Sequence, residues 1–173
     1  MHNVNTGGMC MINRFTHAIE IGDEIAFALI LNHHPDLVNQ ENENGLTPLS
    51  LAAHFGRVDM VVKLLENGAD ANAISHSQIP YIPSNTALHA AIAGKKNPEI
   101  IRILIDAMDT VDVADSNGYT PLHIAAFDDS SSIAQMLLDA CADVYALSFK
   151  DESVMDIALK RNSQKIIKLL KDH

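Results

Sequence analysis

The stretch Thr120-Pro121-Leu122-His123-Ile124-Ala125-Ala126 decides the fold. Thr120 carries a side-chain oxygen that can accept from an unpaired amide of a first helical turn, which makes it a helix N-cap. Pro121 stands at the first helical position, where its missing N–H costs nothing and its fixed φ suits the helix. Leu122 is an apolar anchor, and Ala125, five positions after the cap, is small enough to let a neighbouring helix approach. The pattern recurs at Thr47-Pro48-Leu49-Ser50, Thr86-Ala87-Leu88-His89 and Ser153-Val154-Met155-Asp156, with Asn13-Arg14-Phe15-Thr16 as a degenerate first copy capped by Asn13. Successive starts are separated by 34, 39, 34 and 33 residues. The anchors are Phe15, Leu49, Leu88, Leu122 and Met155, and the alanines are Ala18, Ala52, Ala91, Ala125 and Ala158.

Each first helix is expected to stop near Gly22, Gly56, the Gly94-Lys95-Lys96 stretch, Asp129 or Asn162. A second helix follows, with apolar residues at spacings of 3 and 4: Ile25, Leu29 and Ile30 in the first unit, Met60, Val61, Leu64 and Leu65 in the second. The later units repeat this with Ile100, Ile101, Leu104 and Ile105, then Ile133, Met136, Leu137 and Leu138, then Ile166, Ile167, Leu169 and Leu170. A lone helix pair cannot bury such a face, so neighbours must stack into one continuous core.

These residues resemble the ankyrin repeat family, which opens its units with Thr-Pro-Leu-His-x-Ala-Ala and closes them as Leu64-Leu65-Glu66-Asn67-Gly68-Ala69-Asp70 does here. The resemblance implies an all-α solenoid of stacked helix pairs with hairpin-like loops. Its concave side, made of loop tips and first helices, would bind other proteins. The expected organisation is a lead over residues 1–12, frayed or acting as a weak cover, and five repeats at about 13–46, 47–85, 86–119, 120–152 and 153–173.

Two departures stand out. The position of Gly68, where the family closes a second helix with a left-handed residue, holds His34, Met108 and Cys141 in other units. A side chain in that conformation costs on the order of 1 kcal/mol. Six extra residues fall within 75–84 and are expected to project from the finger side. The last unit ends in a helix carrying Lys165, Lys168 and Lys171, which reads as a polar C-terminal cap.

Of the 173 residues 12 are Lys or Arg and 22 Asp or Glu, so the formal charge is −10, which disfavours nucleic acid and anionic membranes as partners. Cys10 and Cys141 lie far apart with no CxxC, so neither a disulfide framework nor a zinc site is expected. A reducing, cytoplasmic or otherwise intracellular setting is the default, with delivery into a host cell left open. The apolar run Ile19 to Leu31 is interrupted by Glu20, Asp23 and Glu24, so neither a signal peptide nor a membrane span is read there. No HExxH, GxSxG, P-loop or GxGxxG occurs, and no metal or cofactor is expected. His89 and His123 occupy the family's Thr-Pro-Leu-His position, which implies a structural tie between repeats. Asp128-Asp129 reads as solvated surface. No enzyme is expected.

Five of the eight aromatics occupy positions that the repeat leaves free: Phe55, Phe127, Tyr119, Phe149 and Tyr81. Interfaces are enriched in such side chains as buried anchors. The expected partner site is these five, aligned as one concave stripe and ringed by His54, Glu43, Asn44, Ser116, Asn117 and Asp128. Between Arg102 and Lys150 there is no Lys or Arg, while eight aspartates from Asp106 to Asp143 lie there, so the expected partner carries a basic patch. The reading is a stand-alone protein-interaction module, monomeric when free, acting as inhibitor, adaptor or masking subunit. It resembles ankyrin-type inhibitors of cyclin-dependent kinases and short bacterial ankyrin proteins that neutralise a neighbouring toxin or enzyme. A self-assembling structural repeat protein is the remaining alternative.

Overall fold

The structure is a computed structural model that describes residues 10–95 and 97–173. Its helices are α1 (Met11–Ile21), α2 (Glu24–His33), a 3₁₀ turn (Pro35–Asn39), α3 (Pro48–His54), α4 (Val58–Glu66), α5 (Ala87–Ala93), α6 (Pro98–Ala107), α7 (Pro121–Phe127), α8 (Ser131–Asp139), α9 (Val154–Lys160) and α10 (Gln164–Asp172). First helices stack in the order α1, α3, α5, α7, α9, and second helices in the order α4, α6, α8, α10. The result is a two-layer solenoid. Between the layers lie Leu49, Leu88, Leu122, Ile100, Ile101 and Leu104, all inaccessible to solvent or nearly so, each stabilising the fold by about 1.5–3 kcal/mol. The alanine row is buried throughout, which is what brings the first helices together.

The caps follow the sequence in four units. The Thr47 hydroxyl oxygen accepts from the Ser50 amide at 3.1 Å, and Ser153 does the same for Asp156 at 3.1 Å. Thr86 and Thr120 form reciprocal capping boxes with His89 and His123. The first unit departs from expectation: α1 starts at Met11 behind Cys10, and Asn13 lies inside the helix. Ile12 is buried together with Phe15, Thr16 and Ile19, so the apolar period continues a turn upstream and carries the helix with it. Asn13 instead offers its Oδ1 to the Glu43 amide, 3.3 Å away. The lead expected over residues 1–12 is helical from Met11 on, and its first nine residues lie outside the described residues.

First helices do close on left-handed residues at Gly22, Gly56, Asp129 and Asn162, whereas Gly94 has a negative φ of −91°. At the ends of the second helices the expectation holds only in part. Gly68 and Cys141 are left-handed, with φ of 88° and 63°, but His34 and Met108 are not, at −134° and −95°. His34 precedes Pro35, whose ring pushes the preceding residue toward extended backbone. Met108 leaves its helix extended, and the Asp109 amide then reaches Asn72 Oδ1 at 3.0 Å.

That last bond belongs to a ladder. Asn39 Oδ1 accepts from the Asp70 amide at 2.8 Å, and Asp112 Oδ1 from the Asp143 amide at 2.9 Å, so each second-helix turn is tied to the next. The fingers are tied as well: Gln78 donates to Asn44 O, Ser116 to Ser84 O, and Phe149 to Asn117 O. Fingers pass so closely that a Cβ on Gly118 would lie 2.4 Å from the Phe149 amide nitrogen. The inserted loop is on the finger side but is braced between its neighbours. Its base is closed by buried Ser75 and Asn85, where the Ser75 amide and hydroxyl both donate to Asn85 O.

Candidate protein-interaction groove

The histidines of the Thr-x-Leu-His positions tie neighbouring units together, and His123 also lines the site. Carbonyls only accept, so His89 Nε2 carries the proton that binds Tyr119 O at 3.0 Å, and His123 Nε2 the one that binds Glu152 O at 3.2 Å. Their Nδ1 atoms then accept from the Thr86 and Thr120 amides. Each imidazole thus caps its own helix and holds the residue just before the next cap. Burial pushes both imidazoles below their ordinary pKa, against the raising effect of those carbonyl bonds. At repeat two Ser50 takes the histidine's place and bonds within its own unit, its amide donating to the Thr47 hydroxyl oxygen at 3.1 Å and its hydroxyl accepting from Thr47 at 2.9 Å.

Between the fingers and the first helices of the third to fifth units lies a groove of about 500 Å³. Tyr81 and Pro83 enter it from the inserted loop, Tyr119 and Asn117 from the next finger, Ile124 and Phe127 from α7, Glu152 from the finger that follows, and Lys160 and Arg161 from the last unit. Tyr81 is 85% exposed and Phe127 56%, while Tyr119 is half-buried against the core. The Tyr119 hydroxyl donates to Glu152 Oε2 at 2.7 Å, and the Lys160 ammonium holds the other carboxylate oxygen. Lys160 first, and the Tyr119 hydroxyl second, keep Glu152 below the usual carboxylate range. The same bonds raise the Tyr119 phenol and the Lys160 ammonium. The Arg161 guanidinium lies 4.9 Å from the centre of the Phe127 ring, a cation–π contact.

Of the sequence-derived residues, Tyr81, Tyr119, Phe127 and Asn117 therefore share one groove. Phe149 is exposed on the next finger, outside the groove lining. Phe55 packs half-buried against the core with the His54 ring edge-on at 5.1 Å. Glu43 and Asn44 are exposed on the finger between α2 and α3. Ser116 uses its hydroxyl to accept from the Ser84 amide at 3.1 Å, and Asp128 ends α7 half-buried. Glu152, Lys160 and Arg161 were not singled out in the sequence. Repeat register held the signal, because Lys160 and Arg161 stand seven and eight positions after their cap, as His54 and Phe55 or Phe127 and Asp128 do after theirs.

The acidic block reaches the groove lining at Asp115, and most of it lies elsewhere. Asp106 and Asp139 lie on second helices, Asp109 and Asp143 just beyond their ends. Asp115 is buried and accepts from the Asn117 and Tyr119 amides, so its charge shapes the finger. Among the described residues no group of three or more His, Cys, Asp or Glu is placed to hold a metal ion, and no helix is long and apolar enough to cross a membrane.

The geometry is that of an ankyrin stack, and comparison with known proteins agrees. Two ankyrin-repeat family profiles match, one over residues 29–82 and one over residues 75–148. The chain belongs to the ankyrin repeat family, a family of protein-interaction modules. It is similar to the target of rapamycin complex 2 subunit AVO2 of Saccharomyces cerevisiae, 26% identical over 91% of this chain and 36% of the relative. It is also similar to the putative ankyrin repeat protein FPV031 of fowlpox virus, at 33% over 75% of this chain and 38% of the relative. Neurogenic locus notch homolog protein 1 of Xenopus tropicalis is 35% identical over 73% of this chain and 5% of its own length. The chain thus spans less than two fifths of the length of these curated relatives.

Proposed function

We propose that the protein works by occupying a partner protein's surface, as inhibitor, adaptor or masking subunit, in the cytoplasm or another intracellular setting, with no nucleic acid, membrane or catalytic chemistry involved. The observation that carries this is the pair of exposed rings, Tyr81 and Phe127, facing one groove beside the half-buried Tyr119. Large aromatics in a concave setting are the residues that dominate interface energetics. The acidic groups on the second helices stand back from the groove, so in this reading they steer a basic partner over distance while the rings make the contact. The yeast relative is by name a subunit of a larger complex, which suits an adaptor or masking role.

The test is a photoreactive residue at Tyr81 and, as control, at Lys63 on α4, followed by capture and identification. The expected result is one protein crosslinked from position 81 and absent from position 63. Its affinity should fall about 10- to 100-fold in a Tyr81→Ala, Phe127→Ala double variant. Equal affinity for wild type and double variant would place the binding surface elsewhere. Association should slow as salt rises, and a salt-independent rate would remove the basic-partner component.

A further inference from the structure

The lining of the groove carries four formal charges, Asp115, Glu152, Lys160 and Arg161, and three of them are already engaged within the fold. Asp115 offers its Oδ1 to the Asn117 and Tyr119 amides, at 2.8 and 3.0 Å. Glu152 is shared between the Tyr119 hydroxyl, 2.7 Å away, and the Lys160 ammonium, which is thereby engaged as well. His123 is bonded at both ring nitrogens, to Thr120 and to Glu152 O. Arg161 is the exception. It follows the last residue of α9, is exposed, and holds its guanidinium carbon 4.9 Å from the centre of the Phe127 ring. Among the described residues the guanidinium has no hydrogen-bond acceptor and no carboxylate opposite it. Asp128, in register with Arg161 one unit back, stands outside the lining.

A cation–π contact is made by the charge and uses no N–H. Arg161 therefore keeps its fork of donors, whose planar geometry matches the two oxygens of a carboxylate. The Phe127 ring restricts the guanidinium before a partner arrives, which lowers the entropy lost on binding. The rest of the groove is largely apolar. Ile124 and Phe127, three apart on α7, share a face, Ile157 adds to the floor, and Tyr81 and Pro83 close the finger side. The site runs from the fingers to the ends of the first helices, and a helix of 7 residues such as α7 spans about 10 Å. That is the reach of about three extended residues. On the finger side the Tyr81 hydroxyl and the Asn117 side-chain amide also have no partner among the described residues, so they are free to bond the main chain of such a segment.

We propose that the groove takes an extended segment of the partner protein in which an Asp or Glu lies within about three residues of an aromatic or aliphatic side chain. The carboxylate sits on the Arg161 fork, and the apolar side chain lies on the floor toward Tyr81. This rests on the groove being the contact surface. The choice of an acidic residue follows from what the alternatives would meet. An uncharged segment laid over Arg161 would take the guanidinium out of water with nothing opposite it. A basic side chain would face the like charge of Arg161, and would reach Glu152 only by displacing Lys160. The contact charge is thus opposite in sign to the steering charge: the aspartates of the second helices draw a basic surface, while the residue that enters the groove is acidic.

Selection from a displayed library of random linear peptides, run in parallel on the chain and on Arg161→Glu, tests it. Arg161 is exposed, so its variants should keep the wild-type helical circular dichroism. Peptides taken by wild type should share an Asp or Glu close to an aromatic or aliphatic residue, and those taken by Arg161→Glu should carry Lys or Arg in its place. For one wild-type peptide, changing the acid to its amide and changing Arg161→Gln should each weaken binding about 10- to 100-fold. The two changes together should cost no more than either alone. A shared basic residue, the same peptides from wild type and Arg161→Glu, or additive losses would each overturn the acidic subsite. A Tyr81→Ala, Phe127→Ala double variant separates this from the groove reading itself. Peptides that need the two rings but not Arg161 remove the acid and leave the groove standing, whereas a library with no peptide sensitive to the rings removes both.

Discussion

Acidification should loosen the stack where the two buried imidazoles hold it. His89 and His123 are inaccessible to solvent, and each Nδ1 accepts from the threonine amide of its own capping box. A proton on Nδ1 would face that N–H with another donor and break the cap. Burial accordingly holds both groups below the value of about 6.5 that histidine has in an unfolded chain. The sign follows: the unfolded chain takes up protons first, so stability is full above about pH 6.5 and is lost as pH falls toward the folded pKa values. While a folded imidazole stays neutral, its slope approaches about 1.4 kcal/mol per pH unit. For the pair, the loss between pH 6.5 and 5.5 is at most about 2 kcal/mol. With a urea m-value near 2 kcal/mol/M, the midpoint should fall by up to about 1 M. Glu152 and Asp156, held below the carboxylate range, add their losses only at lower pH. The assay is urea unfolding at pH 7.5, 6.5 and 5.5 for wild type and His123→Gln. The variant should be about 1–3 kcal/mol less stable at pH 7.5 and lose less on acidification. A wild-type midpoint that does not move between pH 6.5 and 5.5, or a variant with the wild-type slope, would refute the latch.

Cys141→Gly should raise stability by about 0.5–1 kcal/mol, the relief of a left-handed side chain less the entropy glycine adds to the unfolded chain, while Met108→Gly should give no gain; thermal melts decide. Gly118→Ala should lower it by at least about 2 kcal/mol in urea titrations, since φ is +83° and the new Cβ would run into the Phe149 backbone. Arg57 donates to Ile19 O at 3.2 Å and Glu20 O at 2.7 Å, binding the end of α1 to the second unit. Arg57→Ala should cost about 1–2 kcal/mol and speed amide hydrogen exchange in α1 and α2 before the later helices.

What the sequence displayed is what a single repeat contains. Thr120, Pro121, Leu122 and Ala125 specify cap, start, anchor and packing gap within one helix, so they are legible in one line of residues. What it withheld is pairing between units. Arg161 covering Phe127, and Lys160 and Tyr119 sharing Glu152, join residues whose proximity appears only once the repeats are stacked. The aspartates of the acidic block were counted correctly in the chain, but composition does not say which lie on second helices or which, like Asp115, are consumed by finger amides. Asn13 lies inside its helix because the apolar period of the degenerate first unit runs a turn further upstream, through the buried Ile12.

The clasp between Ser75 and Asn85 separates two jobs that loops usually combine. Because the base is closed by buried main-chain and hydroxyl bonds, residues 79–83 at the tip are not asked to hold the helices apart. The segment is therefore an exchangeable cassette: randomising Ile79 to Pro83 while keeping the clasp would diversify what the module recognises with the repeat scaffold left as it is.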